Sequence, residues 1–228
     1  MRTILWDFDG TLAFRPGMWR GCLVEVLDEQ ERGHAIAPDD FGDALRHGFP
    51  WHTPEIVHGH LDTPDAWWEP VEAILARAYA RVGFTDERAR ELARLARARY
   101  VDPAHSWTLF EDTQPTLERL RAAGWRHVIL SNHVPELAAI VTALGLDELV
   151  DAVVNSAHTG YEKPHPEAFA AARRAAGDPE ELWMVGDNPA ADVAGAEAVG
   201  IRAILARADG AGLDDVRELI SHSTPASR

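Results

Sequence analysis

The sequence predicts an α/β protein: a Rossmann-like, doubly wound parallel sheet with a small α-helical cap domain inserted into it. Short apolar runs alternate with helix-like stretches over the second half of the chain, which is typical of parallel strands joined by helical crossovers. The long interval after the first apolar run contains helix-like stretches and no convincing strand. Together these observations predict one sheet and one helical insertion.

The predicted strands are apolar runs of strand length. They are Thr3–Trp6, His127–Leu130, Ala152–Asn155, Trp183–Val185 and Arg202–Leu205. The predicted helices between the later strands are each followed by a glycine, which readily adopts the left-handed conformation of a helix end. They are Thr113–Ala123, Glu136–Ala143, Glu167–Ala176 and Ala190–Ala198.

The insertion is predicted to be helical throughout. Its helix-like stretches, separated by glycine- and proline-containing loops, are Trp19–Arg32, Asp39–His47, Pro64–Val82 and Asp86–Tyr100. We therefore expect residues 1–15 and 104–228 to form the sheet-containing core and residues 16–103 to form the helical cap domain. A chain of 228 residues is long enough for such a core with a small second unit.

Composition and charge exclude several classes of partner. The formal net charge is −15, and an acidic protein repels the phosphates of nucleic acid. No stretch approaches the roughly 18–20 apolar residues of a membrane span, and the N-terminus shows no signal-peptide pattern. Cys22 is the single cysteine, and its apolar neighbours favour a packed thiol over a reactive one. We expect a cytoplasmic monomer or homodimer without nucleic-acid or membrane partners.

The segment Asp7-Phe8-Asp9-Gly10-Thr11 follows the first predicted strand directly. Two carboxylates two residues apart at a strand end point to the same side, and the glycine permits a sharp turn. One carboxylate can attack phosphorus while the other transfers a proton at the leaving oxygen. An Asp-x-Asp-Gly segment is also common in ordinary surface turns, so this motif needs support from elsewhere in the chain.

Three further polar groups each follow a predicted strand and precede a predicted helix. They are Ser131-Asn132, Lys163-Pro164-His165-Pro166 and Gly186-Asp187-Asn188-Pro189-Ala190-Ala191-Asp192. Ser131 and the Asp187 segment could instead be simple helix caps. In an open parallel sheet, however, all of these positions meet at the carboxyl edge, where ligands bind.

Lys163 is the one lysine among 22 basic residues, the others being arginine. A chain that otherwise uses arginine keeps a compact point charge at this position. Its place in one of the four motifs indicates that the ammonium group has a specific task.

These motifs resemble those of the haloacid dehalogenase (HAD) superfamily, and of its phosphatase branch in particular. The resemblance rests on Asp7 to Thr11, Ser131, Lys163 and Gly186-Asp187 with Asp192, and it extends over essentially the whole chain. The family inserts caps at the same point of the chain. Among its members, the chain looks most like small-metabolite phosphatases such as phosphoglycolate phosphatase, although the cap matches loosely.

The resemblance implies a role for each residue of the first three motifs. Asp7 is implied as the nucleophile and Asp9 as the general acid and base. Ser131 and Lys163 are implied to hold the transferring phosphoryl group, and Lys163 also to stabilise charge in the transition state. Further contacts with the phosphoryl group are implied for Gly10, Thr11 and Asn132.

The resemblance also implies a Mg²⁺ cofactor. Its ligands would be the carboxylates of Asp7 and Asp187 and the backbone carbonyl of Asp9, because hard oxygen ligands suit this ion. Asp192 would not bind the metal directly but would orient its water ligands or Lys163. The substrate is expected to be a small phosphorylated metabolite.

Several alternatives remain open at this stage. A haloacid dehalogenase needs no proton donor for a departing halide and usually lacks an aspartate at the position of Asp9. A phosphomutase needs both carboxylates, as a phosphatase does. An inactive binding module would have lost some of the charged motif residues, all of which are present here. A zinc site in the His-rich segment 52–60 is disfavoured, since cysteine and a clear ligand spacing are lacking.

The insertion offers candidate substrate contacts. Trp51 and His52 lie on a loop of the predicted cap, and aromatic or cationic side chains there would suit an anionic or ring-bearing metabolite. Trp67 and Trp68 lie on a predicted helix nearby, and the more favoured interpretation places them in the cap's own core.

Overall fold

The computed structural model describes residues 1–208 and 212–223. Its strands are Arg2–Trp6 (β1), Ala13–Phe14 (β2), Thr108–Leu109 (β3), Trp125–Ser131 (β4), Ala152–Asn155 (β5), Glu181–Gly186 (β6) and Arg202–Leu205 (β7). Five of them form a parallel sheet in the order β5-β4-β1-β6-β7. The predicted α/β fold class is confirmed, with small differences at the strand ends.

The helices cover both faces of this sheet and fill the insertion. They are Met18–Gln30 (α1), Pro64–Arg81 (α2), Asp86–Val101 (α3), Pro103–Ser106 (α4), Thr113–Ala122 (α5), Leu137–Ala143 (α6), Ser156–Thr159 (α7), Pro166–Ala175 (α8), Gly195–Ala198 (α9) and Val216–Ser223 (α10). Within the described ranges, no helix combines the length and apolar character needed to cross a bilayer.

The strand order reverses at β1. From β1 the chain moves through β4 to β5 on one side, and it then returns to β6 and β7 on the other. Such a switch point opens a crevice at the carboxyl edge of the sheet. Trp6, the last residue of β1, pairs with Ile129 and with Val185. The residue after Trp6 therefore emerges at the crevice.

Successive residues of β1 enter two separate hydrophobic clusters, as expected for a strand whose side chains alternate between faces. Ile4 and Trp6 join the cluster that extends into the insertion, whereas Leu5 joins the one built on α8. All three are fully buried. A continuous apolar run therefore suits β1, because neither face of a central parallel strand meets water.

The helices of the insertion pack against one another. Helix α3 packs against both α1 and α2. Helices α2 and α3 begin at threonines whose hydroxyls accept a backbone N–H, a cap that contributes about 1 kcal/mol each. Trp67 and Trp68 are buried, but in the cluster that continues to β1, and the Trp68 indole N–H donates to Glu136 outside the insertion at 3.1 Å. Cys22 is also buried, and burial raises the pKa of its thiol to about 12.

The predicted helix Asp39–His47 is wrong. The structure forms only the 3₁₀ turn Pro38–Phe41, followed by further turns. The Asp40 carboxylate accepts the Ala37 N–H at 2.8 Å and so caps the start of this short turn. Phe41 is the one buried residue of this segment, and only Ala44 and Leu45 add partly buried apolar surface, which is too little to stabilise a longer helix.

Strands β2 and β3 were not expected from the sequence. They pair antiparallel through Ala13 with Leu109 and Phe14 with Thr108. The pair joins the two chain segments that lead into and out of the insertion. Two-residue strands are too short to produce a periodic pattern, so only the tertiary structure reveals them.

The buried ring of His127 makes the stability of the fold depend on pH. Its ring is fully buried, and its Nδ1 accepts the Trp6 indole N–H at 3.0 Å. The proton therefore resides on Nε2, which donates to the Leu117 carbonyl at 3.0 Å. Burial lowers the pKa of His127 to about 4.

We expect His127 to destabilise the folded protein in acid. Below the ordinary pKa of 6.5 the unfolded chain binds a proton that the folded chain excludes until about pH 4. The free energy of unfolding should therefore lose up to about 3 kcal/mol as the pH falls across this window. Urea unfolding from pH 7 to pH 4 measures this loss. His127→Gln, which keeps a donor and an acceptor but cannot titrate, should show a shallower fall; parallel curves would contradict the assignment.

Candidate active site

Asp7 stands at the switch point of the sheet. Its backbone N–H donates to the Val185 carbonyl at 2.9 Å, which extends the pairing of β1 with β6 by one residue. Gly10 follows with φ at +82°, a conformation that favours glycine. The resulting turn leaves both Asp7 and Asp9 on the wall of one cavity.

Lys163 bridges two acidic side chains in the buried part of this site. Its Nζ lies 2.8 Å from Asp7 Oδ1 and 2.5 Å from Asp192 Oδ1. The Ser131 hydroxyl donates to the same Asp7 oxygen at 2.8 Å. Burial alone would lower the pKa of Lys163, but the carboxylates of Asp192 and Asp7 outweigh burial and raise it. Lys163 therefore remains a charged ammonium beside Asp7.

Asn132 holds the backbone of Lys163 with both ends of its side-chain amide. Nδ2 donates to the Lys163 carbonyl at 2.9 Å, and the Lys163 N–H donates to Oδ1 at 2.7 Å. The sequence placed Asn132 among the phosphate-binding residues. The structure puts Asn132 on the cavity wall, but its side chain is engaged in positioning Lys163.

Asp192 lies in a π-helical turn, Pro189–Ala194, where the sequence predicted regular helix. Such turns often occur at functional sites. The carboxylate is fully buried and accepts the Asn188 N–H at 3.0 Å, while its other oxygen meets Lys163. A Cβ on Gly186 would lie 2.2 Å from Asp192 Oδ2, so only glycine leaves room for this carboxylate.

Asp187 follows β6 and contacts the loop that carries the first motif. Thr11 Oγ1 donates to Asp187 Oδ1 at 3.2 Å. A Cβ on Gly10 would lie 2.4 Å from Asp187 Oδ2, so the absence of a side chain allows the loop to approach. Gly10 and Thr11 are not among the described residues of the cavity wall. In this structure the two residues instead support Asp187.

The site has the donor set of a divalent cation. Asp7, Asp187 and Asp192 each place a carboxylate oxygen within 4.8 Å of the others. With Asp9, four acids face one ammonium, and burial with neighbouring negative charge raises the pKa of Asp187. A divalent cation would offset this excess of negative charge, and an all-oxygen set suits a hard ion. Across the described residues, the His-rich segment 52–60 contributes to no such group.

The surroundings of Asp9 favour its protonated form. Burial, together with the negative charge of Asp7, raises the pKa of Asp9 to about 8. A carboxyl group with a pKa in this range can hold a proton at neutral pH and release it during a reaction. The two acids of the first motif are therefore suited to different tasks.

The cavity of about 370 Å³ brings together all four motifs. Two residues of the insertion, Trp51 and Pro54, complete its wall. Trp51 was predicted to be there. His52 was predicted to be there too, but it is outside the described lining and instead packs against Trp51, with ring centroids 6.2 Å apart.

The sequence analysis missed Glu162, which precedes Lys163. This side chain is buried, and burial raises its pKa to about 7 despite the nearby Lys163 ammonium. Periodicity could not reveal it, because the burial comes from neighbouring loops and not from a strand or helix face.

Fold and site together define the class: an α/β protein with an acidic candidate active site at the switch point of its sheet. The chain belongs to the haloacid dehalogenase-like hydrolases, whose family model matches residues 1–200. The enzyme class expected from the motifs, a HAD-like hydrolase, is thereby confirmed.

Curated relatives match over most of the chain. Human haloacid dehalogenase-like hydrolase domain-containing protein 3 is 30% identical over 217 residues, which cover 90% of this chain and 81% of the relative. Phosphoglycolate phosphatase of Cereibacter sphaeroides is 27% identical over 207 residues, covering 90% and 84%.

Solved structures share the fold. A HAD-hydrolase of Bacillus subtilis, YfnB, bound to magnesium, matches with a TM-score of 0.72 at 17% identity, covering 96% of this chain and 98% of that one. L-2-haloacid dehalogenase of Xanthobacter autotrophicus matches with a TM-score of 0.65 at 24% identity, covering 98% and 84%. Because a dehalogenase shares the fold, the fold alone does not decide between a phosphatase and a dehalogenase.

Proposed function

We propose that this protein is a Mg²⁺-dependent phosphatase that hydrolyses a small phosphomonoester through an aspartyl-phosphate on Asp7. The observation that carries the proposal is the contact of Lys163 with Asp7 on a cavity wall that also contains Asp9 and Asp187. The curated relative named phosphoglycolate phosphatase supports the same reaction class.

In the first step, an oxygen of Asp7 attacks the phosphorus atom, and the bond from phosphorus to the ester oxygen breaks. Asp9, in its protonated form, gives its proton to the departing alkoxide. The ammonium of Lys163 and the hydroxyl of Ser131 stabilise the negative charge around the transferring group. The products are the free alcohol and an acyl phosphate on Asp7.

In the second step, Asp9 as a carboxylate takes a proton from water while the water oxygen attacks the phosphorus atom. The acyl phosphate bond breaks, inorganic phosphate leaves, and Asp7 is regenerated. Asp7, Asp187 and the backbone carbonyl of Asp9 would hold Mg²⁺, whose positive charge would offset the negative charge of the phosphate and the carboxylates. Asp192 already accepts at both oxygens, so its proposed task is to orient Lys163 and Asn188.

The helical insertion is proposed to act as a cap. On this division, residues 16–103 form the cap, and residues 1–15 and 104–228 form the catalytic core. The support comes from Trp51 and Pro54, two insertion residues on the cavity wall. Closure of such a unit excludes water during attack on the phosphate, and opening readmits it for hydrolysis.

Asp9 favours a phosphatase over a dehalogenase. A departing halide needs no proton, so a dehalogenase would gain nothing from a second carboxyl group with a raised pKa. A mutase would use the same two acids but would transfer the phosphoryl group back to a sugar and release little phosphate.

Metal removal tests the proposed reaction. We expect para-nitrophenyl phosphate to be hydrolysed in Mg²⁺, with at least about a 100-fold loss of kcat/KM after chelation and recovery on adding Mg²⁺ back. Inorganic phosphate and the released phenol are measured together, and chloride release from 2-chloropropionate is measured in parallel. Metal-independent chloride release without phosphate release would identify a dehalogenase. Transfer of the phosphoryl group to a sugar phosphate, with little release of inorganic phosphate, would identify a mutase.

A further inference from the structure

The insertion presents one aromatic side chain to the cavity, Trp51. A series of ring contacts, stacked at both ends and tilted by 39° between Trp19 and Phe49, leads from the buried interior to Trp51. The rings of Tyr100 and Trp19 are 3.7 Å apart and nearly parallel, those of Trp19 and Phe49 are 5.0 Å apart, and those of Phe49 and Trp51 are 4.8 Å apart and 14° from parallel. Tyr100, Trp19 and Phe49 are buried, whereas Trp51 is only partly buried. Trp51 is therefore a fixed flat surface with one part open to a ligand.

The described wall of the cavity carries more negative than positive charge. Among the described lining residues, Lys163 is the one cation, and it is already held between Asp7 and Asp192. The remaining described residues of the wall are uncharged, and those from the insertion are Trp51 and Pro54. A carboxylate or second phosphate on the leaving alcohol would find no free cation there and would meet several aspartates.

We propose that the substrate is a phosphomonoester of an uncharged alcohol that carries an aromatic or heteroaromatic ring, and that this ring packs on Trp51. The inference rests on the proposed phosphatase function, since it describes the leaving group in the same site. The cavity of about 370 Å³ suits a single ring with its phosphate. Offset stacking on a fixed tryptophan stabilises such a ring with little ordering of the protein. Phosphoglycolate, whose leaving group bears a carboxylate, is then a poor substrate.

Kinetics with matched esters test this specificity. Benzyl phosphate, cyclohexylmethyl phosphate and phosphoglycolate are all esters of alkyl alcohols, so differences in leaving-group chemistry are small. We expect kcat/KM for benzyl phosphate to exceed that for phosphoglycolate at least about tenfold. Trp51→Ala should raise KM for benzyl phosphate about tenfold and change KM for phosphoglycolate less than about twofold, whereas Trp51→Phe should keep most of the preference. Ile56→Ala, an exposed apolar change on the same loop but outside the described lining, is the matched control.

Binding separates this inference from the proposed function. Calorimetry with benzylphosphonate and phosphonoacetate, neither of which can be hydrolysed at a P–O ester bond, reports recognition without turnover. If benzylphosphonate binds more tightly than phosphonoacetate and Trp51→Ala removes this difference, the inference is supported even if no ester is hydrolysed. A lack of ester hydrolysis would overturn only the proposed phosphatase function. Equal or tighter binding of phosphonoacetate, or equal effects of Trp51→Ala on both ligands, would overturn the inference while phosphate release stands.

Discussion

Asp7→Asn should lower kcat for phosphate release at least about 10⁴-fold, because an amide oxygen is a poor nucleophile toward phosphorus. The change preserves the shape of the side chain, so the hydroxyl of Ser131 and the ammonium of Lys163 can still reach Oδ1. Activity measured at saturating substrate reports the loss. Circular dichroism and thermal unfolding should show a folded protein.

A chemical trap makes this prediction sharper. Acid quenching of the wild-type protein during turnover of a ³²P-labelled ester should leave label on the chain that hydroxylamine removes, as expected for an acyl phosphate. Asp7→Asn should carry none. Asp39→Asn makes the same chemical change at a position whose side chain is 96% exposed, and it should label like the wild type. Unchanged turnover or labelling in Asp7→Asn would end the proposed mechanism.

Lys163→Met should reduce both activity and stability. Loss of the ammonium removes positive charge beside the transferring phosphoryl group, and we expect kcat to fall about 10²–10³-fold or more. It also leaves the carboxylates of Asp7 and Asp192 buried without their partner, so the free energy of unfolding should fall by about 3–5 kcal/mol. Steady-state kinetics and urea unfolding at neutral pH measure the two effects separately.

A second substitution separates the two roles of Lys163. Lys163→Met combined with Asp192→Asn removes one unpaired charge and should recover part of the lost stability, but none of the lost activity. Arg119→Met is the matched control, because its ion pair with Asp214 is exposed and should contribute less than about 1 kcal/mol. Recovery of turnover in the double variant would show that Lys163 acts only as a structural counter-ion.

The sequence predicted those features of the fold that short segments of the chain determine by themselves. The strands of the sheet appear as apolar runs because both faces of a central parallel strand are buried, as in β1 and β6. The motif residues could be placed at one edge because every parallel strand ends on the same side. The segment Asp39–His47 misled because its pattern resembles a helix, although only Phe41 is buried there.

The site, too, has features that short motifs predict and features that depend on contacts between distant loops. The residue types in the first motif, at Ser131, Lys163 and Asp187, were sufficient to predict an acidic, oxygen-rich cluster with one ammonium. All of them except Lys163, which follows α7, lie at a strand end. The engagement of the Asn132 side chain with the Lys163 backbone was not predictable, since it depends on two loops 31 residues apart in the chain.

The sequence by itself therefore determined the fold class, the family and the set of charged residues, because strand periodicity and motif spacing are properties of short segments. Only the tertiary structure decided which insertion residue reaches the cavity. Trp51 lines the cavity and His52, its neighbour in the chain, does not. The physical reason is that the Trp51 ring packs against Trp19 of α1, and a contact between such distant segments leaves no periodic trace in the sequence.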